Sequence, residues 1–161
     1  MRKHKKIDFI PVDDQENVAR IIYSPSYIED GRVSPTAFRW ERLPSGASEN
    51  YISVLRYDGT QDLEMDSRPF KPRNEGDSRY GFAVLNTGDI RAINDDFDAE
   101  DDIKIEVSPH PSSKRSNHAG ISVDIKGETV TTDTPTNGDI EFIQKNLAML
   151  CSEIVKFEAN D

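Results

Sequence analysis

A chain of 161 residues has the length of one ordinary domain, and with 35% hydrophobic and 31% charged residues it calls for a modest core and polar loops. The formal charge of −10 repels phosphate backbones at long range, which counts against nucleic-acid binding except through local basic patches. A single cysteine, Cys151, excludes an internal disulfide and fits a reducing compartment; no run approaches the roughly 18 apolar residues of a membrane helix, so a cytoplasmic, non-membrane protein is expected.

MRKHKK, residues 1–6, reads as a basic flexible tail ahead of a single α+β domain over 7–161. IDFIPV is a first short strand, too brief and too soon broken by DDQEN to serve as a signal-peptide core. In DDQENVARIIY, Asp13 and Glu16 are spaced as a capping box, and Val18, Ile21 and Ile22 share a helical face, which predicts a short N-terminal helix stopped at Pro25. A turn at Asp30–Gly31 leads into a strand in which Phe38 and Trp40 share one face and Arg39 and Glu41 the other. NYISVLRY is a strand with apolar residues on both faces, as expected of a central position.

Residues 58–79 are polar, interrupted by Pro69 and Pro72, and read as a long loop that can hold short helical structure but no regular strand. YGFAVLN is a strand, and NTGD a turn. In DDIKIEVSP the residues Ile103, Ile105 and Val107 point one way, and in HAGISVDIKG so do Ile121, Val123 and Ile125; these two strands are expected to pair. Last, Ile140, Ile143, Leu147, Leu150, Ile154 and Phe157 recur at helical spacing, which predicts one amphipathic helix over 137–157 capped by Thr136 or Asn137. Cys151 lies beside that stripe and reads as a buried thiol without chemistry. The fold class expected is α+β: five to seven mostly antiparallel strands, with the C-terminal helix packed on one face and a short N-terminal helix.

Pairing of the last two long strands makes SPHPSSKRSNHA a loop with His110 and His118 at its two ends. Two imidazoles near Lys114 and Arg115 could cleave a phosphodiester without metal, one taking a proton while the other gives one. His110 lies between Pro109 and Pro111 and equally suits a rigid corner, and no established phosphodiesterase pattern surrounds the pair. DDFDAEDD, residues 95–102, lacks the glycine and the terminal bidentate glutamate of a calcium loop, so a solvated acidic loop is expected and no metal site. No nucleophile elbow and no phosphate-cradling glycine spacing occurs, so no cofactor is expected. Arg39, Arg42 and Arg56 on the solvent side of two strands, together with Lys114 and Arg115, are the residues suited to meet a partner protein.

The segments VSPTAFRWE, NYISVLRYD and SNHAGISV resemble, in layout, small uncharacterised bacterial proteins in which a short "AF" segment precedes an "S-V" strand and an Asn-His-Ala segment opens a late strand. The resemblance spans residues 18–125 and implies no established activity; it associates the chain with larger multi-protein bacterial systems, phage-defence ones among them. The functional expectation is a non-enzymatic accessory or regulatory subunit that works through a larger protein partner. The alternative is a phosphodiesterase or nuclease built on His110 and His118.

Overall fold

The computed structural model describes residues 9–43, 45–110 and 116–158. The basic segment 1–6, most of the loop carrying Lys114 and Arg115, and the start of IDFIPV lie outside the described residues. Phe9 to Val12 carry no strand; Phe9 and Ile10 are exposed and only Val12 is buried. Asp13 forms a turn instead of a helix cap, its side chain accepting from the Gln15 amide at 2.8 Å and its carbonyl from the Glu16 amide at 2.9 Å.

The expected N-terminal helix is a strand, β1 (Asn17–Ser24), with every residue from Val18 to Tyr23 buried. A strand covered on both faces shows no alternation, so its apolar residues also satisfy a helical spacing. The β-branched residues Val18, Ile21 and Ile22 suit the extended backbone better. β2 (Ile28–Glu29) and β3 (Arg32–Val33) pair around Asp30 and Gly31, whose φ of +52° and +76° make the expected turn. The strand expected at Phe38–Glu41 is replaced by a 3-10 turn, Pro35–Phe38, opened by Ser34, whose hydroxyl accepts from the Thr36 amide at 3.2 Å. Pro35 lacks the N–H a ladder needs and suits the first position of such a turn. Phe38 and Trp40 are both core residues.

β4 (Ile52–Tyr57) is followed by a connection containing one helical turn, α1 (Leu63–Asp66), capped by Asp62. The 58–79 loop holds the short helical structure allowed for it but ends one residue early, because β5 (Ser78–Asn86) already begins at Ser78. NTGD is the first turn of a helix, α2 (Thr87–Ala92), and not an open turn: the Asn86 side chain accepts from the Asp89 amide at 3.0 Å and caps it. Two 3-10 turns, Ile93–Asp96 and Ala99–Asp101, carry the acidic tract. β6 (Ile103–Pro109), β7 (His118–Ile125) and β8 (Glu128–Thr129) follow, and β6 and β7 pair antiparallel as expected. The C-terminal helix, α3 (Gly138–Leu150), is capped by Asn137 and buries Ile140, Ile143 and Leu147. It ends well short of 157: Cys151 is extended, and the chain turns into β9 (Val155–Lys156), which pairs with β5. Ile154 and Phe157 continue the helical spacing without belonging to the helix.

Among the described residues seven strands form one sheet in the order β6-β7-β4-β1-β5-β9, with β8 beside β7, and every pairing is antiparallel. β4 and β1 are central. Their ladder is short: Asn17, Val18 and Ala19 oppose Tyr57, Arg56 and Leu55, after which β1 stays with β5 as far as Ser24 while Ile52–Leu55 stay with β7. The sheet therefore parts between its two middle strands. No helix among the described residues is long and apolar enough to cross a membrane.

Candidate functional site

Where β1 leaves β4, the carbonyl of Ser53 loses its neighbour in the ladder. Arg20 replaces it. Its guanidinium reaches across the gap, Nη1 donating to the Ser53 carbonyl at 2.7 Å and Nε to the Ala37 carbonyl at 2.8 Å, with Nη2 3.4 Å from the Tyr27 hydroxyl. Arg20 is only 8% exposed, and a buried cation requires such partners. The Tyr27 hydroxyl donates to Glu41 Oε1 at 3.2 Å, and Glu49 Oε1 accepts from the Glu41 amide at 3.1 Å. Burial raises the Glu49 carboxyl above its ordinary value and pushes the Tyr27 phenol up to about 12, Arg20 opposing both shifts.

Arg20, Tyr27, Glu41 and Glu49, with Tyr23, Ser53, Phe70 and Arg73, line a narrow cleft, part of it open to solvent, with room for about two waters. Glu41 Oε2 and Arg73 Nη1 are buried and find no hydrogen-bond partner among the described residues. The cleft lining thus contains one spare acceptor and one spare donor.

Ser53 joins this cleft to the histidines. Leu55 and Ser53 on β4 oppose His118 and Gly120 on β7, so these four residues share one face of the sheet. His118 Nδ1 lies 3.0 Å from the His110 carbonyl. A carbonyl only accepts, so Nδ1 carries the proton; in the neutral ring Nε2 is then the acceptor, and the Ser53 hydroxyl donates to it at 2.5 Å. The ladder continues at the hairpin mouth, where the His110 amide donates to the His118 carbonyl at 2.9 Å. The His110 ring stacks on Tyr51, centroids 4.0 Å apart and planes at 10°, above Gly120, and partial burial lowers its pKa. Phe70 approaches His118 at 6.1 Å and also lines the cleft.

The hairpin thus brings His110 and His118 together, with ring centroids 6.4 Å apart. Both ring nitrogens of His118 are engaged within the fold, however, so the pair is not poised to exchange protons across a substrate. The arginines go separate ways. Arg39 is exposed, with Nη2 4.0 Å from Glu41 Oε1. Arg42 pairs with Asp133, and its Nη1 donates to the Gly46 carbonyl at 3.2 Å. Arg56 grips Glu16 at 2.5 and 2.7 Å and reaches the Ile10 carbonyl at 2.5 Å. Lys114 and Arg115 lie outside the described residues. Cys151, part-buried, lies with its sulfur 3.4 Å from the Leu147 carbonyl, and burial pushes its pKa up to about 12. Among the described residues no three His, Cys, Asp or Glu side chains converge as a metal set.

Ser53, Arg20, Glu41, Glu49 and Arg73 have no local motif, and only the fold assembles them. The one local sign is Arg20 itself, a lone cation inside the apolar run VARIIY. The segments VSPTAFRWE, NYISVLRYD and SNHAGISV meet in space: Ala37 and Ser53 share the Arg20 guanidinium, and Ser53 bonds His118. Comparison with protein-family models, curated proteins and solved structures finds no match.

Proposed function

We propose that this chain is a small cytoplasmic accessory or regulatory protein that acts by contact with a larger protein partner. The observation that carries the reading lies on α3. Phe142 and Met149 are seven residues apart, hence on one helical stripe, and they are 42% and 81% exposed. Phe97 stands edge-to-face on Phe142 with centroids 5.4 Å apart and widens the apolar patch. Asp95, Asp96, Asp98, Glu100 and Asp101 flank Phe97 along the chain, which gives the patch an acidic neighbourhood. Aromatic and methionine side chains are enriched at protein interfaces, and surrounding charge selects the partner and speeds encounter. A partner surface with an apolar centre and basic rim fits this face. The resemblance to small bacterial proteins extends the reading to multi-protein systems of the phage-defence type.

Affinity purification from the source cell tests it. The unaltered chain should recover one larger protein in near-stoichiometric amount. The double variant Phe142→Asp/Met149→Asp, with an unchanged melting temperature, should lose it, since two interface anchors of about 2 kcal/mol each amount to several hundred-fold in affinity. Recovery of nothing reproducible, or undiminished recovery by the double variant, removes the reading. Cleavage of a phosphodiester by His110 and His118 is the weaker alternative, because His118 presents neither ring nitrogen to a substrate.

A further inference from the structure

We infer that Asn137, followed by Gly138, is a site of spontaneous deamidation whose isoaspartyl product uncaps α3. This goes beyond the partner-contact reading and rests on different residues. Asn137 is the one asparagine of the chain with glycine after it. Two groups must be accessible for the reaction: the Asn137 side-chain amide, whose carbon is attacked, and the Gly138 backbone nitrogen, which attacks it. Both residues are exposed, within a stretch, 135–139, that buries nothing. Among the described residues neither Asn137 Nδ2 nor the Gly138 amide has a hydrogen-bond partner. A Cβ built on Gly138 would meet nothing within 4 Å. Neither a side chain at that position nor a packed neighbour therefore stands in the way of ring closure.

The reaction needs only water. The Gly138 nitrogen gives up its proton and bonds to Asn137 Cγ; the Cγ–Nδ2 bond breaks, and Nδ2 leaves with that proton as ammonia. Water then opens the resulting cyclic imide at one of its two carbonyls. Opening at Cγ yields aspartate. Opening at the backbone carbonyl yields isoaspartate, in which the chain runs on through Cβ and Cγ. Asparagine and water become aspartate or isoaspartate and ammonia. The cap sets both pace and consequence. Asn137 Oδ1 accepts from the Ile140 amide at 3.0 Å, and the Asn137 carbonyl accepts from the Glu141 amide at 3.0 Å. Ring closure turns the side chain back onto its own peptide unit and breaks the first bond, so it waits for the helix end to fray. Fraying is easy here because the first buried residue of α3 is Ile140. Aspartate keeps an oxygen for the Ile140 amide and caps as well as asparagine. In isoaspartate the two carbonyl carbons exchange roles: the former backbone carbonyl becomes the branch and the former capping carbon joins the chain. Both bonds that start the helix then lose their geometry.

The full chain is aged in mildly alkaline buffer and mapped by peptide mass spectrometry, with isoaspartate detected by isoaspartyl methyltransferase labelling. Conversion at Asn137 should outrun that at every other asparagine, with isoaspartate among the products. Gly138→Ala, whose added Cβ meets nothing in the fold, should slow it about tenfold, equivalent to roughly 1.4 kcal/mol on the barrier. The separated isoaspartyl form should melt about 2–4 °C below the fresh chain, the loss of one cap in a chain of this size. Asn137→Asp should melt within about 1 °C of the fresh chain, since aspartate caps equally well. No conversion at Asn137, faster conversion at another asparagine, an unchanged rate in Gly138→Ala, or an isoaspartyl form as stable as the fresh chain overturns the proposal. None of these readouts involves a partner, so this inference and the partner-contact reading fail separately.

Discussion

Gly120 sets the shape of the histidine end of the site. A Cβ built there would lie 2.5 Å from Tyr51 Cδ2 and 2.9 Å from His110 Cδ2, so only the bare backbone of β7 lets that stack settle onto the sheet. The stack in turn covers the hairpin end whose His110 carbonyl holds His118 in its tautomer. Gly120→Ala should therefore cost about 1–3 kcal/mol, the usual penalty of overpacking, read as a lowered urea midpoint with unchanged slope. Wild-type stability in this variant would show that Tyr51 swings aside freely and that the stack orders nothing. Arg20 is the second residue on which the site depends, and for the opposite reason: it fills a gap in the ladder with three donors, where an apolar side chain would leave the Ser53 and Ala37 carbonyls without these bonds.

At the scale of elements, the edges of the sheet are closed by different devices. On β6 the Asn94 side chain imitates a neighbouring strand, Nδ2 donating to the Ile105 carbonyl at 2.9 Å and Oδ1 accepting from the Ile105 amide at 2.8 Å. On β5 the closing element is β9 and the turn before it, where the Ser152 amide donates to the Val84 carbonyl at 3.1 Å. Such edges resist strand addition. The inner face of that helix is a matter of burial. Leu147 is fully buried and Lys145 is not, so Leu147→Ala should lose about 2–5 kcal/mol while Lys145→Ala stays within about 0.5, by thermal or denaturant unfolding. Equal losses would mean that the stripe is misassigned. What could be read beforehand follows from the same physics. β4, β5, β6 and β7 are legible because period-two alternation, or apolar residues on both faces, stands out between polar loops. β1 is not, because burial on both faces removes the period. The end of α3 is not, because Ile154 and Phe157 keep helical spacing by coincidence while the extended Cys151 diverts the chain into β9. The meeting of His110 and His118 is legible from one hairpin. The Arg20, Glu41, Glu49 and Arg73 lining depends on contacts across distant segments, which no local pattern encodes.

For the whole molecule the dominant long-range quantity is charge, 30 acidic against 20 basic residues. The ion pairs that offset it are local. Arg91 bridges Asp14 and Glu106, each at 2.6 Å, and ties the turn before β1 to β6, while Arg56 ties β4 to Glu16. Bidentate or bridging guanidinium contacts at partly buried sites are screened weakly, whereas repulsion among dispersed surface carboxylates acts over many ångströms and is screened strongly. The screening length falls from about 30 Å at 0.01 M to about 8 Å at 0.15 M salt. Adding sodium chloride over that range should relieve more repulsion than attraction, because a net charge far from zero destabilises the compact state. The melting temperature should accordingly rise by about 2–4 °C, which corresponds to about 1 kcal/mol for a chain of this size. A fall over the same range would mean that exposed pairs such as Arg42 with Asp133 outweigh the net repulsion, and that the acidic excess is already arranged to be harmless. The same titration bears on the partner: if the acidic border beside Phe97 and Phe142 draws a basic surface, recovery of that partner should weaken with added salt while the fold grows more stable, two opposite responses from one field.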